Sequence, residues 1–193
     1  MNILKQIFIL LFFSSSLSGC YVDNGHTLEE NTQGYDLYQN NTINVSVLTP
    51  QNWKTHVTSG GVYVIRPPDS SDIEFYISSS PVKHLMNKKA SESITLEAFK
   101  NFKVSQMNEK NYGSQLTFSI NKSELSKQKA YELFYTFFSS LPEETNKKIF
   151  VQETFTLVKE RVYRIEYYAN KNTYSKYQKE LKVIKDSYSI LGN

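Results

Sequence analysis

Little in this chain is available for cross-linking. Of its 193 residues one is a cysteine, Cys20, so no disulfide can form within a molecule. The thiolate clusters that hold structural zinc or iron–sulfur centres are excluded on the same ground. Glycine and proline are sparse, at seven and five. Neither a phosphate-cradling glycine loop nor a Gly-x-Ser-x-Gly nucleophile elbow is present. The three histidines, His26, His56 and His84, lie too far apart in sequence to match a spaced metal-ligand motif. Charge of one sign is missing too: 22 basic and 19 acidic side chains give +3, with no dominant Lys or Arg block. That balance gives no case for nucleic acid or for a polybasic membrane patch. Apolar runs are short, and none reaches the roughly 20 residues of a membrane-spanning helix. No metal and no cofactor is expected.

What the chain does have is an unusual start and many aromatic residues. Lys5 is followed by an apolar stretch from Ile7 to Phe13, then by Ser14-Ser15-Ser16-Leu17-Ser18-Gly19 and Cys20. A basic start, a short apolar core and small residues before a cut are the parts of a secretory signal. Leu17-Ser18-Gly19-Cys20 resembles the bacterial lipobox. The resemblance implies cleavage between Gly19 and Cys20, with the Cys20 thiol taking a diacylglyceryl group. Two or more acyl chains then anchor stably, at about 0.8 kcal/mol per buried CH₂. Cleavage would remove Lys5 alone among charged side chains, lowering +3 to +2. Residues 1–19 are therefore expected to be a lipoprotein signal peptide. Residues 20–40, polar and aperiodic, are expected to be a flexible tether spanning about 25 Å, and residues 41–193 a folded domain.

Within that domain the aromatics, 14 Tyr, 12 Phe and one Trp, fall mostly in alternating runs. Alternation marks half-buried strands. Strands are expected at 42–48, 53–57, 62–65, 73–77, 115–120, 131–138, 150–158 and 162–168. Ser59-Gly60-Gly61 and Lys159-Glu160-Arg161 supply turns, and 142–146 a loop. In 131–138 Tyr131, Leu133, Tyr135 and Phe137 share one face and Phe134 and Phe138 the other, as in a strand covered on both sides. The period changes twice. Leu96, Phe99 and Phe102 mark a helix to about Lys110, capped by Ser93 or Thr95 and ended by Asn111-Tyr112-Gly113. Tyr174, Tyr177, Leu181, Ile184 and Tyr188 form the stripe of a second helix, capped by Asn172 or Thr173. Strands in runs with separate helices indicate an α+β fold with a mostly antiparallel sheet of about six to seven strands.

Residues that could carry chemistry are few. Asp69, Asp72 and Glu74 form a small acidic group, most simply a solvated loop. Glu132, Glu153 and Glu166 fall in strands and could face one another as glycosidase carboxylates do, or pair with cations such as Arg164. Asn-x-Ser/Thr triplets at Asn40, Asn44 and Asn121 carry no expected role. No catalytic residue is assigned.

Ile43-Asn44-Val45-Ser46-Val47-Leu48-Thr49-Pro50-Gln51-Asn52-Trp53 resembles the opening of PsbP-like domains, and the close from Tyr174-Ser175-Lys176-Tyr177 to Ile184-Lys185-Asp186-Ser187-Tyr188 is similar to their final helix. The resemblance spans about 40–191. It implies a Mog/PsbP-like α-β-α sandwich, with helices packed on both faces of the sheet, as in small envelope lipoproteins of the DcrB type. It further implies binding or stabilising of other proteins and brings no shared catalytic motif.

Two functions stay open on these grounds. One is a non-catalytic envelope protein, held on the membrane by its lipid and binding a partner protein. Such a protein would sit on the periplasmic face of the outer membrane in a diderm, or on the outer face of the cell membrane in a monoderm. The alternative is capture of a small apolar ligand or lipid in an aromatic cleft, with Tyr63, Tyr76, Tyr135 and Tyr167 as residue types suited to it. An envelope hydrolase would need a nucleophile and a base converging in a pocket.

Overall fold

The computed structural model describes residues 34–70, 72–89, 92–109, 118–138 and 148–192. The signal segment, Gly19, Cys20, His26 and the first part of the expected tether lie outside the described residues. So do the loop expected at 142–146 and the helix stop at Asn111-Tyr112-Gly113. The described residues form ten strands and three helices. The strands are β1 (Tyr35–Asn40), β2 (Val45–Pro50), β3 (Lys54–Val57), β4 (Tyr63–Arg66), β5 (Ile73–Pro81), β6 (Phe118–Leu125), β7 (Gln128–Phe138), β8 (Lys148–Val158), β9 (Arg161–Asn170) and β10 (Ser189–Ile190). The helices are α1 (Val82–Met86), α2 (Leu96–Glu109) and α3 (Gln178–Ser187). No helix among the described residues is long and apolar enough to cross a membrane.

Seven strands make one antiparallel sheet in the order β3-β4-β5-β9-β8-β7-β6. The alternation that marks its strands also sorts its faces. On one face Ile65, Phe75, Ile77, Ile165 and Tyr167 are buried with Leu181 and Ile184 of α3 and with Tyr188 just after it. The predicted helical stripe thus lies on the sheet, as its period requires. On the other face Leu133, Phe155 and Val162 pack with Val82 of α1 and with Phe99 and Met107 of α2. Thr95 caps α2, its hydroxyl accepting from the Ala98 N–H at 3.1 Å. The expected α+β layering, with helices on both faces of an antiparallel sheet, is what the structure has.

Several features differ from the sequence reading. β6 runs on to Leu125, past the expected end at 120, and α3 begins at Gln178, not after a cap at Asn172 or Thr173. Residues 35–40, assigned to the tether, are β1, paired along its whole length with β2 from Tyr35–Pro50 to Asn40–Val45. The folded part therefore includes residues 35–40 and does not begin at 41. Tyr38 stacks on Tyr63 with ring centroids 3.5 Å apart, which ties β1 to the core. The expected first strand is not in the main sheet: β1, β2 and β10 form a separate three-stranded sheet beside α3. Finally, Phe138 is 38% exposed, so its side of β7 is open at that end.

Candidate functional site

The β6–β7 and β8–β9 hairpins are closed by two-residue turns, Ser126-Lys127 and Lys159-Glu160. All four residues have positive φ (53°, 60°, 46° and 64°), the type I′ geometry that matches strand twist. The first turn sets β6 at the edge of the sheet. Three concavities gather along this one strand. A cleft of about 340 Å³ includes Phe118 and Ser119 of β6 with Phe134, Phe150 and Tyr174. A groove of about 560 Å³ lies between Lys122 and Ser123 of β6, Lys129 and Tyr131 of β7, and Thr95 and Leu96 at the start of α2. A polar cavity of about 580 Å³ runs from Glu124, Ser126 and Lys127 to Ser187 at the end of α3 and Ser189 after it.

The aromatic cleft has a polar floor. Tyr174 donates from its hydroxyl to Gln152 Oε1 at 2.9 Å, and Gln152 Nε2 donates to Glu132 Oε1 at 2.9 Å. Thr154 and Lys185 also bond to Glu132. Burial opposes ionisation of Glu132, yet the bonds from Lys185, Gln152 and Thr154 prevail and hold its carboxyl below the usual range. Phe150 and Tyr174 meet with centroids 5.4 Å apart, and Tyr174 stacks on Tyr167 at the same distance. The cleft is thus an apolar notch above fixed polar groups.

Of the four tyrosine candidates only Tyr135 lines this cleft. Tyr63 and Tyr167 are core residues on the α3 side. Tyr76 lines a different cavity of about 450 Å³ with Ser78, Arg164, Glu166 and Tyr168. The residues that do form the cleft, Phe134, Phe150 and Tyr174, come from β7, β8 and the segment before α3. Their only signal in the sequence was the placing of Phe134 on the face opposite Tyr135.

The three strand carboxylates divide between the two sides of the sheet. Glu153 and Glu166 are register partners on β8 and β9, on the α2 side. Glu132 pairs with Thr154 and faces the other way. Each is held by a cation: Glu153 by Lys103 of α2 at 2.7 Å, Glu166 by Arg164 at 3.3 Å, and Glu132 by Lys185. Glu153 is only 1% exposed, and its Oε1 takes no hydrogen bond among the described residues. Burial drives its carboxyl up from the ordinary range; Lys103 opposes the shift and Glu166 adds to it. The Lys103–Glu153 pair ties α2 to the sheet.

The acidic group at 69–74 is likewise dispersed. Asp69 accepts from Lys176 at 2.8 Å and from the Tyr177 hydroxyl at 2.7 Å, and Asp72 accepts from Asn170 at 2.9 Å. Glu74 pairs with Arg66 and Tyr76. Among the described residues no three His, Cys, Asp or Glu side chains converge as metal ligands. Asn40, the first of the three triplet asparagines, is buried and bonds to the Tyr38 hydroxyl and to the Thr42 and Ile43 amides.

No protein-family model matches the chain, and no curated protein matches it in sequence. Solved structures do match in shape. The cyanobacterial PsbP (CyanoP) of Synechocystis sp. PCC 6803 superposes with a TM-score of 0.56 at 14% identity, over 86% of this chain and 98% of that one. LpqN of Mycobacterium tuberculosis, described as involved in cell envelope biogenesis, gives 0.54 at 12% identity, over 86% of this chain and 91% of its own. At these identities the likeness is one of fold, and it bears out a PsbP/Mog-like domain; it carries no function by itself.

Proposed function

We propose that this chain is a non-catalytic protein of the cell envelope, held on a membrane through lipid on Cys20, whose folded domain binds a partner protein at the β6 edge. The observation that supports this most is the gathering of three concavities along one exposed edge strand. Interaction sites are commonly concave or open edges where backbone and side chains are both within reach. The cations that pair Glu132, Glu153 and Glu166 leave these carboxylates in structural roles. That LpqN shares the fold and is tied to envelope biogenesis agrees with an envelope setting. Crosslinking in cells, followed by purification of the lipidated chain from membranes, should recover a defined protein above a background set by a Cys20→Ala strain. Recovery of none would end this reading.

A second reading has its own support. The cleft of Phe134, Phe150 and Tyr174 has the apolar walls and few polar groups of a small-ligand site, and its size is at the lower end of that class. Native mass spectrometry of protein taken from cells should then show a co-purified apolar molecule that Phe150→Ala removes.

A further inference from the structure

Edge strands are usually blunted by shortness, proline, a bulge or a covering segment. β6 is eight residues long, contains no proline, and keeps an unbroken register with β7 from Phe118–Tyr135 to Leu125–Gln128. Among the described residues no strand pairs with its outer side. Its two-residue turn makes Leu125–Gln128 a hydrogen-bonded pair, and bonded pairs alternate from there. The backbone N–H and C=O groups of Phe118, Ile120, Lys122 and Glu124 therefore point away from β7. No backbone hydrogen bond joins them to another segment among the described residues. They offer donors and acceptors every second residue, about 6.8 Å apart.

The same four residues direct their side chains to the α2 side, where the groove beside Leu96 lies. In that groove Glu97 is already bound by Lys100 and by the Tyr131 hydroxyl. Lys122 and Lys129 form no ion pair among the described residues; Lys122 still acts electrostatically on Glu97, and Lys129 stands directly opposite Glu124 in the register. On this face Lys100, Lys122 and Lys129 outnumber Glu97 and Glu124 by one, and Lys122 is the cation on the open strand itself. A central lysine on an edge repels basic strands and penalises apolar ones, while matching an acidic strand.

We infer that β6 receives an extended segment of the partner protein as an eighth strand, with an acidic side chain set toward Lys122. This rests on the protein-partner reading above and adds to it the mode of capture and the chemistry of the captured segment. Main-chain bonds give such strand addition its affinity and the flanking grooves its selectivity.

The test uses the full lipidated chain in nanodiscs and a blocked peptide, acetyl-Thr-Glu-Val-Glu-Val-Glu-Thr-amide. Hydrogen exchange in β6 should slow at least tenfold when the peptide is added, with β7 and β8 unchanged. Lys122→Pro removes one outward N–H and leaves the ladder to β7 intact, since proline is tolerated on the solvent side of an edge; it should weaken peptide binding at least tenfold. Lys122→Glu, which keeps the backbone, should weaken the acidic peptide and favour its Lys-for-Glu counterpart. Unchanged exchange in β6 at millimolar peptide would overturn the inference, as would equal binding by a folded Lys122→Pro chain. So would a concentration-dependent dimer lost in Lys122→Pro, which would give the edge to a second copy. A cellular partner recovered equally by wild type and Lys122→Pro would refute the edge and spare the partner reading. Absence of any partner for wild type would refute that reading, while the peptide result still decides the edge.

Discussion

Single residues carry more strain and more charge here than the composition suggests. With seven glycines in the chain, left-handed turn positions fall to other residues, Lys127 and Glu160 among them. A non-glycine residue there costs about 1 kcal/mol or more. Lys127→Gly should accordingly raise stability by about 0.5–1 kcal/mol in urea unfolding. Ser126 should be left as it is, because its hydroxyl accepts from the Ile190 N–H at 2.9 Å and holds β10 in place. The Lys103–Glu153 pair makes the opposite kind of prediction. Lys103 is 12% exposed and Glu153 1%. Lys103→Met leaves a buried carboxylate alone and should lower stability by about 3–5 kcal/mol at neutral pH. Because the Glu153 carboxyl is raised, the stability it contributes is present at acid pH and is lost as pH rises through its folded value. The Lys103→Met deficit should therefore shrink on acidification, and the double variant with Glu153→Leu should recover most of it. Glu132 has the opposite sign, its contribution being lost as pH falls; Glu132→Gln should flatten the acid side of the wild-type curve. Urea midpoints between about pH 3 and pH 8 check both.

Elements differ in how legible they were. α3 was legible from Leu181 and Ile184, but the stripe drawn from Tyr174 to Tyr188 overran it, since Tyr174 and Tyr177 lie in the turns before the helix and Tyr188 caps its end. β7 and β9 were plain because aromatics alternate through them. β1 was hidden by its composition: Tyr-Asp-Leu-Tyr-Gln-Asn is polar, and it becomes a strand through pairing with β2 and the Tyr38–Tyr63 stack. α1 and β10 are too short, at five and two residues, for any period to register. The site was mostly illegible for a different reason. Which strand ends up at the edge depends on β5 finding β9 across the chain, and a local pattern holds no record of that choice. The position of β1 gives a direct test. A chain starting at Gly34 should melt like the mature protein. One starting at Asn41 should lose about 3 kcal/mol or more, since it gives up the buried Tyr38 and a full strand of pairing. Differential scanning calorimetry of the two would show it.

For the whole molecule, the start of β1 shortens the expected link to the lipid. Cys20→Ala should move the protein from the membrane to the soluble fraction and abolish palmitate labelling, with the thermal midpoint of the domain unchanged. The pairing of β5 with β9, which joins Ile73 to Ala169 and Pro81 to Arg161, has a further consequence. Such distant partners make folding slow, and the large sheet cannot close until nearly the last residues have been synthesised. A chain drawn from its N-terminus through a narrow translocation channel must remain unfolded until it has passed. In a chain exported as proposed, the late closure of this sheet supplies that delay from the topology itself.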